Sequence, residues 1–279
     1  MSDQRFIFSI NSGRAGSQYL ARLLNTGRRV RAFHEAEPRM TGDYLKMIND
    51  RAYTDTYELR RFKADTLRAY FDSPTGRARW RKRLAPWTFP HVYAETSHMF
   101  LKTFSDVVMA ELDEVDVIVL RRPLAEVLKS FVELSYFGSS EAWPDWMSSP
   151  NAATSAIRCI APDADLDQFD ICIAYLVDIE ARTERFRIEH PHARLHEVTL
   201  AELNSWPSVS RMFENLRIET TRATSKVLGR PQNQKHEMKA RLANWTTVEY
   251  CQERIESYLA RAAQLGIALP DSVNNRQFR

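Results

Sequence analysis

The sequence predicts an α/β fold, a three-layer sandwich around a mainly parallel central sheet, on three observations. Short apolar, β-branched runs recur along the chain, and most lead into a stretch with apolar residues at helical spacing. The strongest run, Val115-Asp116-Val117-Ile118-Val119-Leu120, is nearly continuous in apolar character, as strands buried on both faces tend to be. Alternating strands and helices of this kind pack as a parallel sheet with helices on its faces.

Taken in order, Phe6-Ile7-Phe8-Ser9-Ile10 reads as a buried strand that ends in the loop Asn11-Ser12-Gly13-Arg14-Ala15-Gly16-Ser17. Tyr19, Leu20, Leu23 and Leu24 then follow at helical spacing. Val30 to His34 is a second strand. Residues 41–84 are polar, rich in Arg and helix-compatible, with Pro74-Thr75-Gly76 as a break. Val92-Tyr93-Ala94 is a third strand, followed by a helix with Phe104, Val107, Val108 and Leu112 on one face. Val115 to Leu120 runs into Arg121-Arg122-Pro123 and a helix through about Tyr136, with proline in its first turn. Residues 137–167, with Trp143 and Trp146, read as a long irregular insertion of the kind that forms lids. Cys172, Tyr175, Leu176, Ile179 and Phe186 mark a helix, and Arg194 to Val198 a fifth strand. Val248, Cys251, Ile255, Tyr258, Leu259 and Ala262 give an amphipathic helix. No repeat or low-complexity tract interrupts the chain, and residues 1–279 read as one domain.

Composition narrows the function. The 279 residues are 44% hydrophobic and 27% charged, ordinary for a globular protein. The 39 basic residues barely exceed the 36 acidic ones, a balance that argues against a general nucleic-acid binder. Cys159, Cys172 and Cys251 are odd in number and widely spaced, which points to free thiols rather than a disulfide framework or a zinc site. No apolar run approaches the ~20 residues of a membrane span, so a cytoplasmic protein is expected.

Two constellations carry chemistry. A glycine-containing turn between strand and helix aims backbone N–H groups at one point, where the helix dipole also favours negative charge. Ser12-Gly13-Arg14-Ala15-Gly16-Ser17 has this placement. Gly13 and Gly16 would allow close backbone approach, Ser17 and Gln18 would add donors, and Arg14 offers a charged fork for phosphate or sulfate oxygens. A nucleoside-triphosphate loop of the GxxxxGK[ST] type is excluded, because this loop is too short and has no lysine after its last glycine. In the second constellation a strand ends in Arg121-Arg122, and Ser130 lies eight residues beyond Arg122 on the following helix. With Ser130 facing inward, the arginine and the serine could hold one phosphate at the carboxyl ends of the strands.

The loop Gly13-Arg14-Ala15-Gly16-Ser17 after a first strand, with Leu120-Arg121-Arg122-Pro123 and Ser130 at mid-chain, resembles the sulfotransferases that use 3′-phosphoadenosine 5′-phosphosulfate (PAPS). The resemblance covers roughly residues 5–136 and implies a P-loop-NTPase-like layout. It implies that the loop binds the 5′-phosphosulfate, and that Arg14 stabilises the bridging oxygen as the sulfuryl group leaves. Arg122 and Ser130 would bind the 3′-phosphate, with Arg121 the alternative to Arg122. Gly229-Arg230-Pro231-Gln232-Asn233-Gln234-Lys235 is a weakly matching candidate for the family's late donor-contacting loop.

Sulfuryl transfer to a hydroxyl or amine needs a general base. The turn after the second strand offers His34 and Glu35, where family members often carry a histidine or a glutamate. His98, after the third strand, is the alternative, with Lys102 near enough to add a donor. His190, His192 and His196 do not match a metal site in spacing, and no metal is expected. The expected acceptor is a small molecule, sugar or lipid, shaped by Trp143, Trp146 and residues 41–90. Arg77 to Arg83 would either greet an anionic acceptor or form a solvated helix face. A nucleotide-dependent kinase and a non-catalytic nucleotide-binding protein are the rival readings, and a homodimer stays open.

Overall fold

The computed structural model describes residues 4–50, 56–72, 90–138, 143–230 and 246–274. Five strands form one sheet: β1 (Arg5–Ile10), β2 (Val30–Phe33), β3 (Val92–Glu95), β4 (Val115–Arg121) and β5 (Arg194–Thr199). Their order is β2-β3-β1-β4-β5, and every neighbouring pair is parallel. The register sets Phe6 beside Tyr93 and Val115, and Phe8 beside Glu95 and Val117.

Successive side chains of a strand point to opposite faces. Phe6, Phe8 and Ile10 join Tyr93, Val117 and Val119 in one apolar cluster, while Ile7 joins Ala94, Ile118 and Leu120 in the other. Both faces are therefore apolar, which is why these strands read as continuous hydrophobic runs. The second cluster is closed by α1 (Ser17–Leu24) and, later in the chain, by residues 206–215. The first is closed by α2 (Asp43–Asn49), α3 (Tyr57–Asp72), α4 (Ser105–Glu111), α5 (Leu124–Glu133), α6 (Gln168–Glu189), α7 (Trp206–Asn215) excepted, and α8 (Val248–Gln264). The result is the three-layer α/β arrangement that the sequence implies.

Some boundaries differ from the sequence reading. The expected helix through Tyr136 stops at Glu133, because Ser135 and Phe137 take left-handed backbone (φ 54° and 57°). Pro123 precedes α5 as its N-cap instead of lying in its first turn. The helix after β3 begins as a π turn, Phe100–Phe104, before α4. Of the predicted insertion, Trp143–Trp146 and Asp163–Asp165 are single turns, and its other described residues are irregular. That segment is anchored on α6, where Asp178 accepts from Ala156 N at 2.7 Å and pairs with Arg182 at 2.6 Å in nearly full burial. The Arg77–Arg83 stretch and residues 231–235 lie outside the described residues.

All five strands end at one edge of the sheet, with β1 at its centre. Among the described residues no helix is long and apolar enough to cross a membrane. The three cysteines are buried and unbridged.

Candidate active site

The loop after β1 is held from within. Asn11 Nδ2 donates to Ser9 Oγ at 2.8 Å, and Asn11 Oδ1 accepts from Gly13 N at 3.0 Å. Tyr175 on α6 donates its hydroxyl to Ser12 O at 3.0 Å, and Ser12 Oγ turns to Gly13 O. Gly13, Arg14 and Gly16 all take positive φ (82°, 54° and 99°). A Cβ on Gly16 would lie 2.6 Å from Leu200 Cδ1, and one on Gly13 would lie 3.4 Å from the His98 ring. Both serve close packing and the left-handed turn. Ala15 is buried beneath the loop, Ser17 is buried at the start of α1, and Gln18 is exposed beside it. No acidic residue occupies the first turn of α1, so its unpaired N–H groups keep their pull on an anion.

The two mid-chain arginines differ. Arg121 is 7% exposed and bridges Glu180 at 3.0 Å and Glu197 at 2.8 Å, so its charge is spent inside the protein. Arg122 pairs with the more exposed Glu126 at 2.7 Å and donates from Nη1 to Arg14 O at 3.2 Å. Ser130 is buried on α5 and faces inward, as the sequence reading required, and its Oγ accepts from Arg14 Nε at 3.2 Å. Among the described residues no carboxylate bonds Arg14, which leaves its terminal nitrogens for an anion. A crevice lined by Asn11, Ser12, Arg122, Leu176 and Thr183 runs beside the loop.

On the other flank the three candidate bases meet. Glu35 Oε1 lies 3.4 Å from His34 Nε2 and 3.6 Å from His98 Nε2. Thr96 Oγ1 donates to Ser17 O at 2.8 Å, so towards His34 Nδ1, 3.3 Å away, it acts as acceptor. That places the His34 proton on Nδ1 and leaves Nε2 bare towards Glu35. His98 is arranged the other way round. Lys102 Nζ donates to His98 Nδ1 at 2.9 Å, which leaves an Nε2–H for Glu35. Lys102 also donates to Trp146 O at 2.5 Å and to the Tyr175 hydroxyl at 3.2 Å. Trp146 stacks on the His98 ring at 5.9 Å, so the irregular segment caps this flank.

Burial lowers the pKa of His34, with Glu35 opposing the shift. It lowers that of His98 well below 6.5, helped by the Lys102 charge. Burial, with Arg182 adding, also pushes Lys102 well below its ordinary value.

The structure thus brings together Arg14, His34, Glu35, His98, Arg122 and Ser130, and gives Arg121 to an internal ion-pair network. Gly229 N donates to the Tyr19 hydroxyl at 2.9 Å, which ties that part of the candidate late loop to α1. His196 pairs with Asp116 near the opposite end of the strands, away from the loop. Sequence reasoning does not reach the contacts of Tyr175, Lys63 and Glu95, because their partners are far away in the chain and no local pattern marks them.

With this geometry in view, no family model and no curated protein sequence matches the chain. Solved structures do. Sulfotransferases recur among them. The sulfotransferase domain from the curacin biosynthetic pathway is similar at 13% identity and TM-score 0.49, over 96% of this chain and 99% of that one. A sulfotransferase of Mycobacterium tuberculosis is similar at 15% identity and TM-score 0.45, over 91% of this chain and 77% of that one. One from Alicyclobacillus acidocaldarius is similar at 13% identity and TM-score 0.46, over 92% of this chain and 96% of that one.

Proposed function

We propose that this protein moves a sulfuryl group from PAPS to a hydroxyl or amine of a small-molecule, carbohydrate or lipid acceptor. The observation that carries the reading is the meeting of two motifs distant in sequence. Arg14 reaches Ser130, 116 residues away, and Arg122 reaches the backbone of Arg14, 108 residues away. Two guanidinium groups, a buried hydroxyl and a helix N-terminus converge beside the central strand, a donor set suited to a ligand with phosphate at two positions.

In this reading α1 and Arg14 face the 5′-phosphosulfate, and Arg122 with Ser130 holds the 3′-phosphate. The acceptor oxygen attacks sulfur in line as the bond from sulfur to the bridging oxygen breaks. Arg14 neutralises the charge that develops on that leaving oxygen, an electrostatic contribution placed before the reaction begins. The acceptor's proton passes to the Glu35–His34 pair, whose facing Oε1 and Nε2 have none between them. His98 Nε2 faces Glu35 from its other side at 3.6 Å, near enough to add charge complementarity but not a direct hydrogen bond. A nucleotide kinase is the less supported reading, since the loop has no lysine to reach a terminal phosphate.

Calorimetric titration with the desulfated product, 3′-phosphoadenosine 5′-phosphate, against ADP tests the donor. Binding that requires the 3′-phosphate and weakens in Arg122→Ala is the expected result. Equal binding of ADP would return the reading to a kinase or a non-catalytic nucleotide-binding protein.

A further inference from the structure

Lys63 on α3 and Glu95 at the end of β3 have side chains that are 0% exposed and meet at 2.9 Å. A buried ion pair endures only where its geometry satisfies both charges, and here it does. Lys63 Nζ donates to Ala36 O at 3.0 Å, to Pro38 O at 2.9 Å and to Glu95 Oε1 at 3.1 Å, which uses all three of its protons. Tyr93 donates its hydroxyl to Glu95 Oε2 at 3.0 Å.

What this ammonium touches is specific. Ala36 and Pro38 belong to the turn that carries His34 and Glu35. Glu95 is followed directly by Thr96, the partner of His34, and then by His98. One group on α3 therefore ties together the two segments that bear all three candidate bases. Apolar packing would not require it, because Lys63 Nζ lies 5.1 Å from the centre of the Phe104 ring, surroundings that a methionine could also fill.

We propose that the Lys63–Glu95 pair is a positioning device that sets the spacing of Glu35 from His34 and His98. Its catalytic meaning rests on the proposed sulfuryl transfer, but its effect on the two rings does not. Without the clamp the 34–38 turn would drift from the end of β3, and the site that receives the acceptor proton would widen.

The test is the neutral double variant Lys63→Met/Glu95→Gln, which keeps both volumes and strands no lone charge. His34 and His98 are followed by NMR on ring-labelled protein, with resonances assigned through His34→Gln and His98→Gln. Both rings are expected to shift and to titrate nearer the ordinary histidine value, while binding of 3′-phosphoadenosine 5′-phosphate stays unchanged. Turnover should fall about 10-fold or more with little change in the acceptor KM, because small displacements of reacting groups lower the rate steeply. Two histidines that titrate as in the parent protein would overturn the proposal. If the double variant does not fold, Tyr93→Phe removes one hydrogen bond from Glu95 and should move the same two resonances less; no movement there would sink the idea equally. If the parent protein does not bind the nucleotide, the donor reading fails while the histidine titration still decides the clamp.

Discussion

Arg121 and Arg122 are adjacent in sequence and do different work. Arg121 neutralises Glu180 and Glu197, which lie 59 and 76 residues away in the chain, so nothing local in the sequence separates it from its neighbour. Arg121→Ala should leave Glu180 buried without its partner and cost about 3–5 kcal/mol in urea denaturation. Arg122→Ala should leave stability nearly unchanged and weaken binding of 3′-phosphoadenosine 5′-phosphate about 10- to 100-fold by calorimetry, the loss of one charged hydrogen-bonding group. Arg14→Ala should lower turnover about 100- to 1,000-fold, as loss of a group that meets developing charge does, with the acceptor KM little moved. Equal loss of turnover and acceptor binding would remove Arg14 from the assigned position. At this scale the sequence showed which residue types could hold an anion. It could not show which were already engaged, because that depends on distant carboxylates.

The central strands β1 and β4 were legible because both faces of the sheet are buried there, so each is mostly apolar, whereas β5 (Arg-Leu-His-Glu-Val-Thr) lies at an edge and is only partly buried. Helix ends were less so: the stop at Glu133 depends on left-handed Ser135 and Phe137, neither a residue that announces such a turn. The irregular segment 143–167 was legible as an insertion but not in its attachment. Among its ties to the body is a buried side chain of α6, Asp178, which accepts from Ala156 N and pairs with Arg182, while Arg185 and Lys102 donate to Thr154 O and Trp146 O. Asp178→Ala should therefore speed amide hydrogen exchange across 143–167 while β1 and β4 stay protected. Because Trp146 stacks on His98 and its carbonyl accepts a hydrogen bond from Lys102, the same variant should also change the His98 ring resonance. A segment that exchanges as slowly as in the parent protein would show that its remaining hydrogen bonds and apolar contacts hold it without Asp178.

The molecule as a whole should respond to acid through its buried rings. The folded-state pKa of His98 lies well below 6.5, and that of His34 is lowered too. Between the lowered values and the ordinary one the unfolded chain binds protons that the folded chain does not, so stability rises with pH across that window. Urea midpoints should fall between about pH 7 and pH 5.5, and His98→Gln should flatten that slope. A slope unchanged by the substitution would mean that other groups set it. The layout of the sheet has a consequence of another kind. β1 lies between β3 and β4, and the chain completes β2, β3 and their helices before it enters β4. The base-bearing flank is thus one uninterrupted stretch, from about Asn25 to Leu112, bracketed by the two segments that would grip the donor. A gene exchange with only two crossover points could replace all three candidate bases at once and leave Arg14, Arg122 and Ser130 in place, with Trp146 among the contacts of that flank supplied from outside the exchanged stretch. Under the proposed function, descendants of this chain could then change acceptor while keeping the donor grip.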